Sequence, residues 1–429
     1  MQTAKRKSRP GGRFECHAHT CYSNIRLLDS INSPQRLVDY AQELGLTGIC
    51  VTDHEALGAH VELDRIQRSL IESGSDFKIG RGNEIYLTDT RDPGQRYWHF
   101  LLVAKNATGH KMLRELSSMS WKNSYVDRRM ERVPTLKSEL EGIVNKYGKG
   151  NLIASSACLG SEVDGYILKI HRAHQAGNIE EKKRCVNHLL EFIDWCKDLF
   201  DDDFYLEVQP ARSEEQMIVN QRMGRLSQCC GVKVIVTTDA HYLKPEDREI
   251  HKAYLNSKGG ERETDAFYRY AYLQSTEDIV ANLGGTGLDY QELENNTNEI
   301  YDKIENYSFF KLQQVPEIDV PDVPKSSHKF NPIQYPNLDY LTSSDNRQER
   351  YWIDTCMNAL EEKGLAEDDA YLSRLEEEAD INREVGSKLN TCMFAYPIFL
   401  QHYINLFWEC GSTIGPGRGS ACAGLNHYL

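Results

Sequence analysis

The first two-thirds of the chain repeat one pattern: a short apolar run, a polar pair at its C-terminal end, and an amphipathic segment. The apolar runs have the length of buried strands, and the segments between them have helical spacing. Alternating strands and helices predict an α/β fold of parallel, right-handed βα units, either open or closed into a barrel. The predicted strands span 13–16, 48–51, 78–80, 84–86, 100–104, 151–154, 204–208 and 232–236.

The last third has a different pattern. Five prolines between 314 and 337 interrupt any regular element, so this segment is predicted to be a linker. Helical periodicity resumes over 347–363 and 370–385. The segment 396–410 is aromatic and apolar with helical spacing, and we predict that it packs in a core.

Composition limits the classes of protein that fit. The chain has 429 residues, 40% of them hydrophobic, which is enough for two or three globular domains. Its formal net charge of −14 argues against a surface that coats nucleic acid generally, so contact with DNA must be local. The sequence contains no Cys-x-x-Cys pair and no apolar run of the roughly 20 residues that a membrane helix needs. We therefore expect a cytoplasmic protein with reduced thiols and no membrane association.

Polar side chains follow several of the predicted strands at the point where each strand ends. His17 and His19 lie two residues apart after the first strand, so both imidazoles face one side. Ligands gather at the C-terminal ends of the strands in parallel βα folds, and imidazole is a common ligand of zinc-like ions. Any one of these residues alone is compatible with a core or loop role, but their convergence predicts a metal centre. The predicted donors are His17, His19, Asp29, His54, Glu84, His99, Cys158, Asp239 and His241.

The charge of this donor set indicates its substrate. Nine donors are too many for one tetrahedral ion and suit three ions that share a bridging carboxylate. Four anionic donors against three divalent ions leave a local charge of about +2, which attracts an anion. Adjacent ions polarise a phosphoryl group and make a bound water more acidic. The sequence thus predicts hydrolysis of a phosphate monoester or diester.

The order of these residues resembles the motifs of the polymerase and histidinol phosphatase (PHP) domain. The matching stretches are His17-Ala18-His19-Thr20, Thr52-Asp53-His54, Glu84, His99, Cys158 and Thr238-Asp239-Ala240-His241. The stretches Ser156-Ala157-Cys158-Leu159-Gly160 and Asp239-Ala240-His241-Tyr242-Leu243 are similar to those of bacterial C-family polymerases, the DNA polymerase III alpha subunits. The resemblance begins at about Phe14 and covers essentially the whole remaining chain.

The resemblance implies a distorted seven-stranded (βα) barrel with a trinuclear centre of zinc or manganese. It implies that His17, His19, Glu84 and Asp239, the expected catalytic residues, hold one ion. It places Glu84, which bridges, with His99 and Cys158 on a second ion, and Asp29, His54 and His241 on the third. Because every ligand position is occupied, we expect an active 3′–5′ exonuclease.

A glycine-rich stretch, 414–424, lies near the C-terminal end of the sequence. Such a turn before a helix can present backbone N–H groups to phosphate, and Arg418 and Ser420 add a guanidinium and a hydroxyl. In C-family polymerases a similar loop at the start of the palm meets the incoming triphosphate. The resemblance therefore implies nucleotide binding by Gly417, Arg418, Gly419 and Ser420. No paired aspartates for Mg²⁺ follow before Leu429, so we expect this chain to be part of a longer or split polymerase.

These patterns divide the chain into a basic disordered arm (1–12), a PHP domain (13–290), a Pro-rich linker region (291–345) and the start of a palm (346–429). Arg128 and Arg129, with Arg132 nearby, are predicted to contact DNA phosphates, although a solvated charged face fits equally well. The expected partners are the 3′ end of a primer–template, an incoming dNTP, the remainder of the polymerase, and a sliding clamp or an exonuclease subunit.

Two other functions fit the sequence. One is a free-standing phosphoesterase of the histidinol-phosphatase kind, which the C-terminal region disfavours because a small phosphatase needs no such appendage. The other is a non-catalytic scaffold, in which metal ions stabilise the fold without catalysis.

Overall fold

A computed structural model of the protein describes most of the chain and divides it into two compact units, Met1–Phe309 and Phe310–Leu429. The described residues are 12–25, 28–92, 94–127, 130–257, 268–311, 314–415 and 424–429.

The first unit is organised around one sheet, with a small hairpin beside it. The strands of the described residues are β1 Phe14–Glu15, β2 Gly48–Val51, β3 Lys78–Thr88, β4 Trp98–Ala104, β5 Tyr125–Asp127, β6 Met130–Arg132, β7 Pro134–Leu136, β8 Leu152–Ser155, β9 Phe204–Val208 and β10 Val234–Val236.

Helices surround this sheet, and the second unit is helical. Those of the first unit are α1 Pro34–Glu43, α2 His60–Glu72, α3 Ala107–Lys122, α4 Lys137–Tyr147, α5 Glu162–Gln175, α6 Ile179–Phe200, α7 Glu214–Cys230, α8 Arg248–Asn256, α9 Thr276–Leu283 and α10 Tyr290–Lys303. Those of the second unit are α11 Pro336–Ser343, α12 Arg347–Glu362, α13 Asp369–Leu389, α14 Ala395–Glu409 and α15 Leu425–Tyr428.

Seven strands form a nearly closed barrel in the order β1-β2-β3-β4-β8-β9-β10. A parallel bridge between Ala18 and Ala240, with the His19 amide 2.9 Å from the Ala240 carbonyl, brings the two edge strands together. The predicted α/β barrel is confirmed. The expectation of uniformly parallel strands is wrong, because β4 runs antiparallel to both β3 and β8. This reversal brings the beginning of β4, rather than its end, to the rim where the parallel strands end.

The barrel interior opposite this rim is apolar and is closed by α10. Phe14, Cys50 and Tyr205 belong to a buried cluster that also contains Ile300 and Ile304 from the end of α10. The sequence placed the end of the first domain at residue 290, where α10 begins, but the first compact unit extends to Phe309. Helix α10 has few apolar residues, so its hydrophobic periodicity is weak, and the sequence did not show that it belongs to the first unit.

The Pro-rich segment forms irregular chain and turns on the second unit. Val320 and Val323 are buried, and the Arg350 Nε atom donates to the Val323 carbonyl at 2.7 Å. The Gln348 side chain similarly donates to the Ile318 carbonyl at 2.8 Å. Segment 314–335 thus lacks helices and strands among its described residues, as its prolines predict, but part of it packs against α12.

The predicted core role of segment 396–410 is wrong for most of its apolar side chains. Helix α14 forms there, but Tyr396 is 49% exposed and Trp408 is 55% exposed. Only the beginning of the helix is anchored, through buried Ala395 and Ile398. Apolar composition predicted burial, but the described part of the chain leaves this face uncovered.

Across the residues that the structure describes, no helix combines the length and apolar character needed to cross a bilayer.

Candidate metal centre

The nine predicted donors meet at the rim where the parallel strands end. His17, His54 and Asp239 follow β1, β2 and β10, while His99 lies near the start of the antiparallel β4. Glu84 lies inside the long strand β3 and reaches the same rim, where its backbone forms a parallel β-bridge with that of His54. Eight of the nine are in three clusters in which each residue offers a donor atom within 4.8 Å of the others.

The first cluster contains His17, His19, Glu84 and Asp239, and all four are buried. The His17 and His19 Nε2 atoms are 3.1 Å apart. Each lies close to Asp239 Oδ1, at 3.2 and 3.1 Å, and to Glu84 Oε2, at 3.5 and 3.2 Å. These four donors surround one point.

The second cluster contains His54, Glu84 and His99, and Cys158, the ninth predicted donor, lies beside it at the other oxygen of Glu84. Its Oε1 atom is 2.8 Å from His99 Nδ1 and 3.7 Å from Cys158 Sγ, and that sulphur is 3.5 Å from the same His99 nitrogen. Gly160 makes the arrangement possible, because a Cβ there would lie 2.8 Å from the His99 ring. The two oxygens of Glu84 therefore face different clusters.

The third cluster brings Asp29 between two imidazoles. Its Oδ2 atom is 3.0 Å from His54 Nε2 and 2.9 Å from His241 Nε2. The other nitrogen of His54, Nδ1, is 2.8 Å from Glu84 Oε2, so this ring connects the third cluster to the first two. His19 also borders this cluster.

The orientation of the donors fits cations rather than hydrogen bonds within the protein. Asp29 Oδ2, Glu84 Oε2 and Asp239 Oδ1 are buried oxygens that accept no hydrogen bond from the described residues. A buried carboxylate oxygen without a donor is costly, because it has lost its water. Each cluster thus directs anionic oxygens and imidazole nitrogens into one space, which suits divalent ions.

Neighbouring groups fix the imidazoles with their Nε2 atoms directed inward. The His17 Nδ1 atom donates to Glu207 Oε1 at 2.6 Å, and His241 Nδ1 donates to the Asp239 backbone carbonyl at 2.7 Å. A carboxylate and a carbonyl only accept, so each Nδ1 carries a proton, and Nε2 is the nitrogen that can bind an ion once its own proton has left. Metal-binding histidines are oriented in this way.

Several supporting residues escaped the sequence reasoning. Glu207 also receives hydrogen bonds from Ser155 and, at 2.6 Å, from Thr237. Glu15 accepts from the Thr238 backbone at 3.1 Å and from its hydroxyl at 2.9 Å. The sequence did contain a signal for both residues: each is a glutamate inside a short apolar strand, and a charged side chain is rarely buried without a partner.

The backbone beside the donors adopts an uncommon conformation at three non-glycine positions. Glu55, Ala157 and Asp239 have φ values of 53°, 61° and 46°. Two of them flank His54 and Cys158, and the third is itself a predicted donor. Left-handed backbone at such residues costs free energy and is concentrated at functional sites.

The ionisation of the metal-free centre reflects its paired charges. Burial alone lowers the pKa of His17, but the carboxylates of Asp239, Glu207 and Glu84 outweigh burial and raise its pKa well above the usual value. The pKa of Asp29 lies well below its usual range, because His241 and His54 outweigh the effect of burial. Protons on the imidazoles therefore supply the positive charge in the metal-free protein.

A pH dependence of stability follows for the metal-free protein. Nearby carboxylates overcome burial and raise the pKa values of His17 and His241 on folding, and Tyr86, Glu84 and Asp29 do the same for the pKa of His54. Their contribution to stability is complete below the unfolded pKa of about 6.5 and is lost as pH rises through the folded pKa values. We expect the urea midpoint of chelator-treated protein to fall between pH 6 and pH 9. Saturating Zn²⁺ should remove this fall, because the ion replaces the protons; an unchanged midpoint without metal would contradict the account.

Two other predicted sites cannot be placed. The DNA-contacting pair Arg128 and Arg129, and the nucleotide-binding set Gly417, Arg418, Gly419 and Ser420, lie outside the described residues. Arg132 is described, at the end of β6.

Comparison with known proteins agrees with this fold. Residues 15–211 match the family model described as the PHP domain. This match confirms the resemblance of this part of the chain to the PHP domain.

The similarity to particular proteins extends beyond the PHP domain. The chain is 38% identical to the DNA-directed DNA polymerase of Bacillus phage SPbeta, over 96% of this chain and 34% of that protein. It is 28% identical to the DNA polymerase III subunit alpha of Helicobacter pylori strain J99, over 95% of this chain and 32% of the subunit. The chain thus spans about a third of the length of these relatives. A crystal structure described as a metal-dependent phosphoesterase, from Bifidobacterium adolescentis, covers 66% of this chain and is itself covered to 99%, with a TM-score of 0.32 and 14% identity.

Proposed function

We propose that this chain is the PHP-containing portion of a replicative DNA polymerase of the DNA polymerase III alpha type. In this proposal its metal centre is a phosphoesterase that removes nucleotides from a DNA 3′ end. The observation that carries the catalytic part is the set of three buried carboxylate oxygens that accept no hydrogen bond from the described residues and face imidazole nitrogens. The polymerase part is supported by similarity over 96% of the chain to a DNA-directed DNA polymerase.

Each cluster is assigned one ion in this proposal. The first ion is held by His17, His19, Glu84 and Asp239, the second by Glu84, His99 and Cys158, and the third by Asp29, His54 and His241. The two-sided contacts of Glu84 support its bridging role. The mixture of imidazole, carboxylate and thiol donors suits Zn²⁺, and Mn²⁺ is the alternative.

The residues of the centre have distinct parts in the reaction. Bound ions would polarise the phosphodiester and make an attacking water more acidic. Glu207 holds His17 with its lone pair inward, so that the donor does not rotate during turnover. Burial and the charges of Glu84 and Asp239 raise the pKa of the Cys158 thiol well above its usual value in the metal-free protein, so a cation is needed for Cys158 to act as a thiolate.

The remaining expected partners belong to the whole polymerase. We propose that residues 346–429 form the beginning of its palm, with the glycine-rich loop meeting an incoming dNTP. Mg²⁺ would then be bound by aspartates elsewhere in the polymerase. The other proposed partners are primer–template DNA, the rest of the polymerase, and a sliding clamp or exonuclease subunit, in the cytoplasm of a bacterial or phage-infected cell.

A substrate comparison tests the proposed activity. Protein reconstituted with Zn²⁺ or Mn²⁺ is given 5′-labelled single-stranded DNA, a mismatched primer–template and histidinol phosphate. We expect progressive shortening of both DNAs and no release of phosphate from histidinol phosphate. Phosphate release without DNA shortening would favour the phosphatase alternative. Bound metal with neither reaction would favour the scaffold.

Tyr268 is expected to hold Asp29 in the third cluster. Its hydroxyl donates to Asp29 Oδ1 at 2.8 Å, which leaves Oδ2 directed at the two imidazoles. Tyr268→Phe removes this hydrogen bond and keeps the ring, so we expect metal affinity at the third site to fall about 10–100-fold. Competition with a chromogenic chelator measures this affinity. Tyr340→Phe, at an exposed tyrosine of the second unit, is the control; equal affinities in wild type and Tyr268→Phe would refute the positioning role.

A further inference from the structure

A row of aromatic rings continues from the metal centre along the same face of the sheet. Tyr86 lies two residues beyond Glu84, and Tyr97 lies two residues before His99, so both tyrosines share the face of these donors. Tyr86 is directly opposite His99 in the antiparallel pairing of β3 and β4. Its ring centroid is 5.0 Å from that of His99 and 4.9 Å from that of Tyr97. The three rings form a continuous path away from the donors.

A guanidinium lies at the outer end of this path. The Arg132 Nη1 atom donates to the Tyr97 hydroxyl, and the guanidinium carbon is 5.5 Å from the Tyr97 ring centroid. Its carboxylate neighbour, Asp127, is 4.0 Å away and 35% exposed. An ion pair of that length between partly exposed side chains is weak, so Arg132 retains attraction for a further anion.

The exposure of these groups distinguishes the path from core packing. Tyr86 and Tyr97 are only partly buried, whereas their neighbours Ile85 and Trp98 on the opposite face are buried in the protein. Aromatic faces followed by an arginine are the arrangement with which proteins hold single-stranded nucleic acid. The bases stack on the rings, and the arginine contacts a backbone phosphate.

We propose that Tyr86, Tyr97 and Arg132 form a subsite for the last nucleotides of a single DNA strand. A base near the 3′ end stacks on Tyr97, and Arg132 holds a phosphate farther from the bond that is cut. This inference rests on the proposed exonuclease function and adds a source of selectivity. A base must leave its duplex to stack on a ring, so a mispaired end reaches the subsite more readily than a paired one.

A binding experiment separates this subsite from the activity itself. The probe is a fluorescent single-stranded oligonucleotide with phosphorothioate linkages at its 3′ end, added to the metal-loaded protein. We expect Tyr97→Leu to weaken binding about tenfold, because stacking on one aromatic ring is lost. Tyr97→Phe should retain most of the affinity. Tyr340→Leu is the matched control, since Tyr340 also lies against an arginine, with the Arg383 guanidinium 3.9 Å from its ring.

Hydrolysis of bis(4-nitrophenyl) phosphate provides the second readout. This small diester places its phosphate at the metal centre without spanning the distance to Arg132, so its kcat should be unchanged in Tyr97→Leu, and its KM should change much less than the oligonucleotide affinity. Oligonucleotide affinity within twofold of wild type would overturn the subsite, and so would equal losses on both substrates, because Tyr97 would then act through the metal centre. Wild-type protein that binds the strand through Tyr97 but does not shorten an unmodified one would refute the exonuclease and leave the subsite standing.

Discussion

His19→Ala is expected to reduce 3′-end trimming about a thousandfold. The Nε2 atom of His19 lies within 3.2 Å of Glu84, Asp239 and His17, and the residue also borders the third cluster. Its removal deprives the centre of a donor that faces two proposed ions. Metal ions supply several kcal/mol of transition-state stabilisation, and each 1.36 kcal/mol corresponds to a factor of ten. Initial rates on 5′-labelled single-stranded DNA measure the loss.

The control for this substitution is His174→Ala, at an exposed histidine of α5. Circular dichroism and thermal unfolding establish that both variants fold. Trimming by His19→Ala at the wild-type rate would show that the metal centre does not perform the reaction.

Glu84→Gln is expected to lower the number of bound ions from about three to about one. The substitution keeps the size of the side chain and removes the charge that both the first and second clusters use. An amide nitrogen would replace one carboxylate oxygen and a neutral carbonyl oxygen the other, so two proposed sites lose their shared anion. The third cluster retains Asp29, His54 and His241. Equilibrium dialysis followed by elemental analysis counts the ions per chain.

Glu180→Gln, at a highly exposed position of α6, controls for the loss of one negative charge. Retention of three ions by Glu84→Gln would refute the bridging role. Loss of all ions would show instead that the three sites assemble cooperatively around Glu84.

The convergence of the donors was predictable because of the geometry of βα folds. His17, His54 and Asp239 follow different strands, and the ends of parallel strands must meet at one rim. Asp29 has no strand to position it, so strand geometry did not predict where its side chain lies. The structure places it between His54 and His241 through contacts with a distant loop, including the Tyr268 hydroxyl.

The features that escaped prediction depend on contacts between distant parts of the chain. The reversed direction of β4 leaves no local signal, because an apolar run reads alike in both directions. The sequence predicted Glu15 and Glu207 only as strand residues, because their partners, Thr238 and His17, follow the ends of other strands. Helix α14 has the composition of a core helix. Whether its apolar face is buried depends on contacts with other elements, which its own sequence does not specify.

A metal titration coupled to DNA trimming tests the central claim most directly. Chelator-treated protein receives increasing Zn²⁺ or Mn²⁺, and bound ions and shortening of 5′-labelled single-stranded DNA are measured on the same samples. The proposed centre predicts negligible trimming without metal and a rise to full activity as occupancy approaches about three ions per chain. Full occupancy without trimming, or full trimming by metal-free protein, would contradict it.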